Sequence, residues 1–266
     1  MPYETILVNQ SGESLTLTMN RPQHRNSLNN TMLKEINEVL DLAEKNPRCR
    51  TLVLAGQPGF FCIGQDFEEA AALAAQSDYP RIQDSKEAAG LSSPNPYMAT
   101  LKRFTLTPRV IISLVDGQAI AGGVGFAAAS DLVIATPRSR FCLSEALWGL
   151  VPAIVFPFLL RRVGFQAAYR MMLTTMPISA PEAHNLHLID EISENPQQRI
   201  HHLRLRLSRL SDSTIRAVKQ LARKMWLITD QMEEVAVSES RQRFSDPAVI
   251  QNITNYVKYK KFPWDE

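Results

Sequence analysis

Short apolar, β-branched runs alternate with amphipathic stretches along the first part of the chain. Residues 29–46 place Met32, Ile36 and Leu40 on one face and charged residues opposite, which predicts an amphipathic helix. Strand and helix therefore alternate, and this favours an α/β architecture with a largely parallel sheet and polar chemistry at the strand ends. Four runs bounded by turn residues have the pattern of buried strands: Ser14–Met19, Thr51–Ala55, Val110–Val115 and Leu132–Ala135.

The strand pattern fades after residue 157. Residues 189–193 form one further short strand-like run, and amphipathic helices dominate elsewhere, including one predicted over 203–211. Residues 77–96 contain several prolines and small polar residues, so neither periodicity can be sustained there and a mobile loop is predicted. The chain is therefore expected to end in a helical region.

Composition excludes several classes of protein. The 266 residues carry 29 basic and 27 acidic side chains, and this near-balance gives no electrostatic reason to expect nucleic-acid or membrane-surface binding. The cysteines, Cys49, Cys62 and Cys142, form no CxxC pair, which argues against a disulfide framework or a zinc site. The most apolar run, Val110–Val115, is far shorter than the ~20 residues of a membrane span, and no signal peptide is recognised. We expect a soluble, cytoplasmic protein.

Two glycine-marked segments and one carboxylate carry candidate chemistry. Residues 59–67 and 117–125 each follow a strand and precede a helical run, so each is expected to expose backbone N–H groups at a helix N-terminus. Glu145 lies among apolar residues in 144–152, where desolvation raises a carboxyl pKa and suits it to carry a proton in both directions.

Each of these features also has a purely structural interpretation. Glycine turns are structural in most proteins, and Glu145 could cap a helix or form a buried pair with Arg161 or Arg162. None of the three is decisive alone.

Taken in order, these segments resemble the crotonase superfamily, the enoyl-CoA hydratase and isomerase proteins. The resemblance covers about residues 3–195 and includes Leu17-Thr18-Met19-Asn20-Arg21-Pro22, Arg25-Asn26-Ser27-Leu28 and the stretch 178–191. It implies a spiral of ββα units over 1–195, a helical trimerisation region over 196–266, a homotrimer or dimer of trimers, and a thioester substrate.

The resemblance also implies roles for individual residues. The backbone N–H groups of Gln65 and Gly122 correspond to the oxyanion hole that stabilises a thioester enolate, and Arg25, Gly64 and Gly123 to substrate-binding positions. Hydratases of the family carry two catalytic glutamates. The second corresponds to Glu145, whereas the first corresponds to Gly125, so ordinary enoyl-CoA hydration is not expected.

Residues 61–69, 144–164 and 203–211 are similar to a narrower group, the dehydratases of polyketide β-branching cassettes. This implies removal of water from a 3-hydroxy-3-methylglutaryl group on an acyl carrier protein, giving a 3-methylglutaconyl thioester. Glu145 is then the proton carrier. Asp66 is an alternative acid, with an N-cap of the next helix as its other interpretation. No metal or organic cofactor is expected, because dehydration involves no redox change and the substrate arrives on a phosphopantetheine arm or coenzyme A.

Other functions remain open from the sequence. One is decarboxylation of the 3-methylglutaconyl carrier protein, a second is general enoyl-CoA hydratase or isomerase activity, and a third is a scaffold or RNA-binding relative without activity. Two groups of basic residues, on 203–211 and at the C-terminus, are either solubilising or a docking site for an acidic carrier protein: Arg204, Arg206, Arg209, Lys258, Lys260 and Lys261.

Overall fold

The four apolar runs that were predicted to be buried strands all form strands. The structure, a computed structural model, describes residues 3–75 and 95–265. The strands in these ranges are β1 (Ile6–Ser11), β2 (Ser14–Met19), β3 (Thr51–Ala55), β4 (Gly59–Cys62), β5 (Val110–Val115), β6 (Gly117–Ile120), β7 (Leu132–Ala135), β8 (Arg140–Cys142), β9 (Ile178–Ser179) and β10 (Glu191–Ile192).

The helices account for most of the remaining described chain. They are α1 (Asn30–Lys45), α2 (Phe67–Ala74), α3 (Pro96–Leu106), α4 (Gly122–Ala129), α5 (Phe156–Thr174), α6 (Ala180–Asn185), α7 (Pro196–Leu207), α8 (Asp212–Met225), α9 (Asp230–Phe244) and α10 (Pro247–Tyr259).

The four predicted strands belong to one six-stranded sheet of order β1-β2-β3-β5-β7-β10. β1 and β2 form an antiparallel hairpin, and the remaining neighbours pair in parallel. β3 and β5 are covered on both faces: α7 packs on one through Ile200 and Leu203, and the main core with α1 lies on the other. Burial on both faces explains why the sequences of these strands are almost continuously apolar.

A second sheet, of order β4-β6-β8-β9, was not predicted from the sequence. Its strands have only two to four residues, and β4 and β6 each begin with a glycine, Gly59 and Gly117. Runs this short carry no readable period. The segments 59–67 and 117–125 each follow a strand, as expected, and each also begins as a short strand of this second sheet.

Successive turns of the chain repeat one pattern. β3, β5 and β7 join the six-stranded sheet, and the strand that follows each one, β4, β6 or β8, joins the four-stranded sheet before a helix or 3₁₀ turn. This is the spiral of ββα units that the resemblance implied, and the α/β fold class is confirmed.

The C-terminal part is helical from Pro196 onward, as predicted. The helix expected over 203–211 ends earlier, since α7 stops at Leu207 and the side chain of Ser211 accepts a hydrogen bond from the Thr214 amide to cap α8. The division into domains 1–195 and 196–266 stays a prediction.

The loop predicted over 77–96 lies outside the described residues, apart from Asn95 and Pro96. Asn95 caps α3 by accepting hydrogen bonds from the amides of Tyr97 and Met98. Among the described helices, none combines the length and apolar character that crossing a membrane requires.

Candidate active site

Three neighbouring parallel strands, β4, β6 and β8, end at one edge of the four-stranded sheet. The pairing places Cys62 beside Ala119 and Ile120 beside Cys142. Gln65 lies three residues after Cys62, Gly122 two after Ile120, and Glu145 three after Cys142. Since carboxyl ends of parallel strands share an edge, the sheet brings together residues up to 80 positions apart in the chain. All three line the same cavity.

Gln65 exposes its backbone N–H because its neighbours are bonded elsewhere. The Gly64 carbonyl accepts from the Leu28 amide at 2.7 Å, and the Asp66 amide donates to the Leu28 carbonyl at 2.8 Å. Peptide groups alternate in direction along extended chain, so the Gln65 N–H points away from Leu28. It has no acceptor within the described part of the chain.

The Gly122 N–H also lacks an acceptor among the described groups, as the first residue of α4. The turn before it is strained, because Ala121 has φ 51° and ψ −116°, a conformation that residues other than glycine rarely adopt. The Ala121 amide donates to the Cys142 carbonyl at 2.8 Å, which ties this turn to β8. Two free N–H groups, one at a helix N-terminus, suit stabilisation of a negatively charged oxygen.

Gly64 lets the two turns approach each other. Its φ is +89°, and a Cβ placed on it would lie 2.7 Å from the Ala121 Cβ and 3.2 Å from the Gly122 nitrogen. Any larger residue would push the Gln65 and Gly122 segments apart. Gly64, which was predicted to bind substrate, does not line the cavity in the described structure, and its geometry permits this close backbone approach.

Glu145 begins a 3₁₀ turn, Glu145–Trp148, directly after β8. Its Oε2 is inaccessible to solvent and has no hydrogen-bond partner among the described residues. Desolvation raises the pKa of Glu145 from 4.5 to about 7, although a hydrogen bond from its own amide opposes the rise. A carboxyl group with this pKa exchanges a proton in either direction near neutral pH.

The buried-pair interpretation of Glu145 is wrong. Arg161 donates to the carbonyls of Ala128 and Ser130, at 2.6 and 3.1 Å. Arg162 donates to the Asp190 carboxylate at 3.0 Å. Neither arginine neutralises Glu145, so among the described residues burial, rather than an ion pair, governs its charge.

Asp66 has the N-cap role that the sequence analysis left open. Its Oδ1 accepts hydrogen bonds from the amides of Glu68 and Glu69, at 2.9 and 3.3 Å. Arg21 donates to its Oδ2 at 2.7 Å. Burial alone would raise the pKa of Asp66, but the hydrogen bond from Arg21 and those from the amides outweigh it, so the pKa is lowered. The structure thus disfavours Asp66 as the alternative acid, because it is ionised and engaged.

Tyr97 is a site residue that the sequence analysis missed. Its hydroxyl donates to the Gly122 carbonyl at 2.5 Å, and a Cβ placed on Gly125 would lie 2.0 Å from that hydroxyl. The side-chain space of Gly125 is therefore already filled by a phenol from α3. Only the fold brings these residues together, and the flanking sequence of Tyr97 carries no motif.

The cavity has a volume of about 870 Å³, within the range of small-molecule sites. Arg25 lines it and stacks on the Phe60 ring at 5.5 Å. Lys260 lines it too, beside an aromatic group whose rings contact one another: Phe67, Trp148, Tyr256 and Phe262.

Gly123, expected to bind substrate, is not part of the described lining. An added Cβ there would lie 2.1 Å from the Cys62 carbonyl oxygen, so this glycine serves the packing of α4 on β4.

The family model described as enoyl-CoA hydratase/isomerase matches residues 10–266. The chain belongs to the enoyl-CoA hydratase/isomerase family. Two relatives are similar to this chain over long stretches. Bacillaene synthase dehydratase PksH of Bacillus subtilis (strain 168) is 35% identical over 264 residues, 99% of this chain and 98% of the relative. Enoyl-CoA hydratase EchA19 of Mycobacterium tuberculosis is 33% identical over 192 residues, 72% and 69% of the two chains.

A solved structure agrees with this assignment. A Bacillus subtilis protein described as a polyketide biosynthesis enoyl-CoA hydratase, PksH, superposes with a TM-score of 0.86 at 35% identity, covering 98% of this chain and 100% of that one. The superfamily, the similarity to a polyketide dehydratase and the hydro-lyase class predicted from the sequence are confirmed. The roles assigned to individual residues of this enoyl-CoA hydratase/isomerase family member stay predictions.

Proposed function

We propose that the chain is a dehydratase of polyketide biosynthesis that removes water from a 3-hydroxy-3-methylglutaryl thioester on an acyl carrier protein. The product is the 3-methylglutaconyl thioester. One observation carries the proposal: Glu145, whose carboxyl pKa is about 7 and whose Oε2 has no partner among the described residues, lines a cavity together with the Gln65 and Gly122 amides, which have no acceptor among those residues either.

The proposed reaction is a syn elimination. The Glu145 carboxylate removes a proton from C2, and the C–H electron pair moves to the thioester oxygen as an enolate. The N–H groups of Gln65 and Gly122 stabilise that oxygen, and such donors contribute on the order of 10²-fold or more in rate. The enolate then collapses to form the C2–C3 double bond as the C3–O bond breaks. Glu145 returns its proton to the departing hydroxyl, which leaves as water.

One carboxyl group suffices in this scheme because the same proton moves from C2 to the leaving oxygen. A pKa of about 7 leaves Glu145 comparably able to accept and to donate near neutral pH. Gly125 offers no second carboxylate, since it has no side chain and Tyr97 fills its space. The scheme involves no redox change, so no metal or organic cofactor is part of the proposal.

The relative matched over almost its full length supports dehydration over other reactions of the family. PksH of Bacillus subtilis is named a dehydratase of bacillaene synthase and matches almost the full length of both chains. The retained Glu145 supports the same choice, because decarboxylation of the 3-methylglutaconyl thioester needs no group to protonate a departing hydroxyl.

The carrier protein is proposed to dock at the mouth of the cavity. Arg25 and Lys260 line the cavity and can pair with a phosphate of the pantetheine arm. The other basic group of the sequence analysis does not line it in the described structure: Arg204 donates instead to the Thr16 hydroxyl at 2.7 Å, beside the six-stranded sheet. Of the two predicted docking groups, the C-terminal one is therefore favoured.

A homotrimer, or a dimer of trimers, is proposed from apolar side chains that face solvent in the single chain. On α8, Val218, Leu221 and Met225 are 61%, 57% and 72% exposed, and their spacing places them on one face of the helix. A stripe of this kind is typical of a surface that another subunit covers.

The experiment is mass spectrometry of the purified protein incubated with 3-hydroxy-3-methylglutaryl carrier protein. We expect the acyl group to lose the mass of one water. Separate incubation with 3-methylglutaconyl carrier protein tests for loss of carbon dioxide, and incubation with crotonyl-CoA tests for hydration. An unchanged 3-hydroxy-3-methylglutaryl group alongside either of these reactions would contradict the proposal.

A further inference from the structure

Tyr97 connects two helices, α3 and α4, at the candidate active site. It lies in the first turn of α3, yet its hydroxyl reaches the first turn of α4, where it donates to the Gly122 carbonyl. The same hydroxyl fills the space beside Gly125, and the tyrosine lines the cavity together with Glu145.

The Tyr97 side chain is held from several sides. Its ring packs edge-on against Phe126 at 5.5 Å, and Phe126 in turn stacks on Phe104 at 5.6 Å. Its backbone amide donates to the Asn95 side chain at 3.0 Å, which fixes the start of α3. A ring fixed in this way holds its hydroxyl at a defined place.

Tyr97 is unsuited to move protons itself. Burial, together with the nearby Cys62 and Glu145, raises the pKa of Tyr97 well above 10. The phenol therefore stays protonated throughout the working pH range, and its single O–H is committed to the Gly122 carbonyl. What it supplies is a fixed hydrogen bond rather than a transferable proton.

The turn that it contacts needs support. Ala121 has a strained backbone conformation, which persists only where the surroundings enforce it. The Cys142 carbonyl accepts the Ala121 amide on one side of this turn, and the Tyr97 hydroxyl binds the Gly122 carbonyl on the other. These two hydrogen bonds lie on either side of the peptide group between Ala121 and Gly122, whose N–H is the proposed donor.

We propose that Tyr97 is a positioning residue of the oxyanion hole, whose hydroxyl holds the first turn of α4 so that the Gly122 N–H faces the thioester oxygen. This rests on the proposed function only in requiring that a thioester carbonyl binds at Gln65 and Gly122. Tyr97 does not touch the reacting atoms in this assignment. It acts through Gly122.

The first test compares Tyr97→Phe with wild type in steady-state kinetics on the carrier-protein substrate. The variant keeps the ring packing and loses one oxygen, so we expect kcat to fall about 10-fold with KM changed less than twofold. Tyr3→Phe is the matched control, since it removes the same atom from a tyrosine that packs elsewhere on the core and does not line the cavity. An unchanged kcat in Tyr97→Phe would overturn the proposal.

The second test reads the oxyanion hole directly. 3-Methylglutaryl pantetheine thioester lacks the hydroxyl to be eliminated, and with ¹³C at its thioester carbonyl its C=O stretch reports polarisation by hydrogen bonds. We expect the bound stretch to move to lower frequency in wild type, to move by half that amount or less in Tyr97→Phe, and to move fully in Glu145→Gln. Equal shifts in wild type and Tyr97→Phe would refute the positioning role, whereas no shift in wild type would refute the proposed thioester site itself.

A third measurement, of melting temperature, tests without any activity assay whether the Tyr97 hydroxyl fills the space beside Gly125. Gly125→Ala should lower the melting temperature strongly, because its Cβ would lie 2.0 Å from the Tyr97 hydroxyl. Gly125→Ala in the Tyr97→Phe background should lower it less, since the closest remaining atoms are 3.0 and 3.1 Å away, on Val155 and on the Tyr97 ring. Equal losses in both backgrounds would show that the hydroxyl does not fill that space.

Discussion

At the scale of the single residue, Glu145 meets two opposing demands. Burial raises its pKa to about 7, which suits proton transfer near neutral pH. The same burial means that the ionised form destabilises the folded protein, because no described partner neutralises Oε2. Activity and stability at this position therefore oppose each other.

Replacement of Glu145 tests the proposed proton carrier. Glu145→Gln keeps the shape and removes the transferable proton, so we expect turnover to fall by at least ~10²-fold while substrate still binds. Single-turnover kinetics and calorimetric binding of the substrate analogue measure the two effects. Glu194→Gln, an exposed position in the loop before α7, is the control. A near-native rate in Glu145→Gln would remove the residue from the mechanism.

The pH dependence of stability gives an independent check on the Glu145 pKa. Its folded-state pKa, about 7, lies above the ordinary 4.5, so its contribution to stability is fully present below pH 4.5 and is lost as the pH rises through 7. At ~1.4 kcal/mol per pKa unit, the full effect is about 3 kcal/mol. Glu145→Gln lacks this loss. We expect urea unfolding to show that the free energy of unfolding of Glu145→Gln rises relative to wild type by up to that amount between pH 4.5 and 8. A difference between the two proteins that stays constant with pH would contradict the burial argument.

At the scale of elements, the site depends on where three short strands stop. The ends of β4, β6 and β8 place Gln65, Gly122 and Glu145 at one sheet edge, and α2 and α4 start there. Asp66 contributes by capping α2, which fixes the segment that carries the Gln65 amide.

The backbone nature of the donors can be tested at Gly122 and Gln65. Gly122→Pro removes the N–H and should abolish activity, whereas Gly122→Ala keeps it and presses only on the end of the Leu28 side chain, 2.8 Å from the added Cβ. Gln65→Ala keeps its amide and should be mild. Activity is compared with melting temperature for each variant. A severe effect of Gln65→Ala in a folded protein would show that its side chain, and not its amide, is used.

At the scale of the whole molecule, charge at the cavity mouth is expected to guide the carrier protein. Lys260→Ala should raise KM for the carrier-protein substrate several-fold and leave kcat little changed, because it removes a contact made equally before and during the reaction. Arg209→Ala removes an exposed positive charge away from the cavity and serves as the control. If Arg209→Ala raises KM and Lys260→Ala does not, the docking surface lies at the basic residues of 203–211 instead.

The exposed stripe on α8 leads to a prediction about assembly. Leu221→Glu places a charge in the stripe and should convert the oligomer to monomer in light scattering at micromolar concentration. Gln220→Glu adds the same charge at the preceding residue, which points away from the stripe, and should leave the oligomer intact. Monomeric wild-type protein would contradict the proposed trimer.

Hydrophobic periodicity and neighbouring residue types were enough to predict the regular elements and the local chemistry. The buried strands β2, β3, β5 and β7 and helix α1 follow from hydrophobic patterns, because burial on one or both faces dictates residue type directly. The raised pKa of Glu145 was also predictable, since its neighbours in the chain are apolar. For Asp66 the sequence favoured a helix cap over an acid, and the ion pair with Arg21, 45 residues away, became visible only in the fold.

The way in which these elements meet could not be predicted and became clear only from the folded chain. The second sheet is built from strands too short to carry a period, so its register, and with it the meeting of Gln65, Gly122 and Glu145, depends on long-range pairing. Tyr97 contacts Gly122 from 25 residues away, through a packing arrangement that no local pattern encodes. Local composition sets what each residue can do, whereas long-range packing sets which residues can do it together.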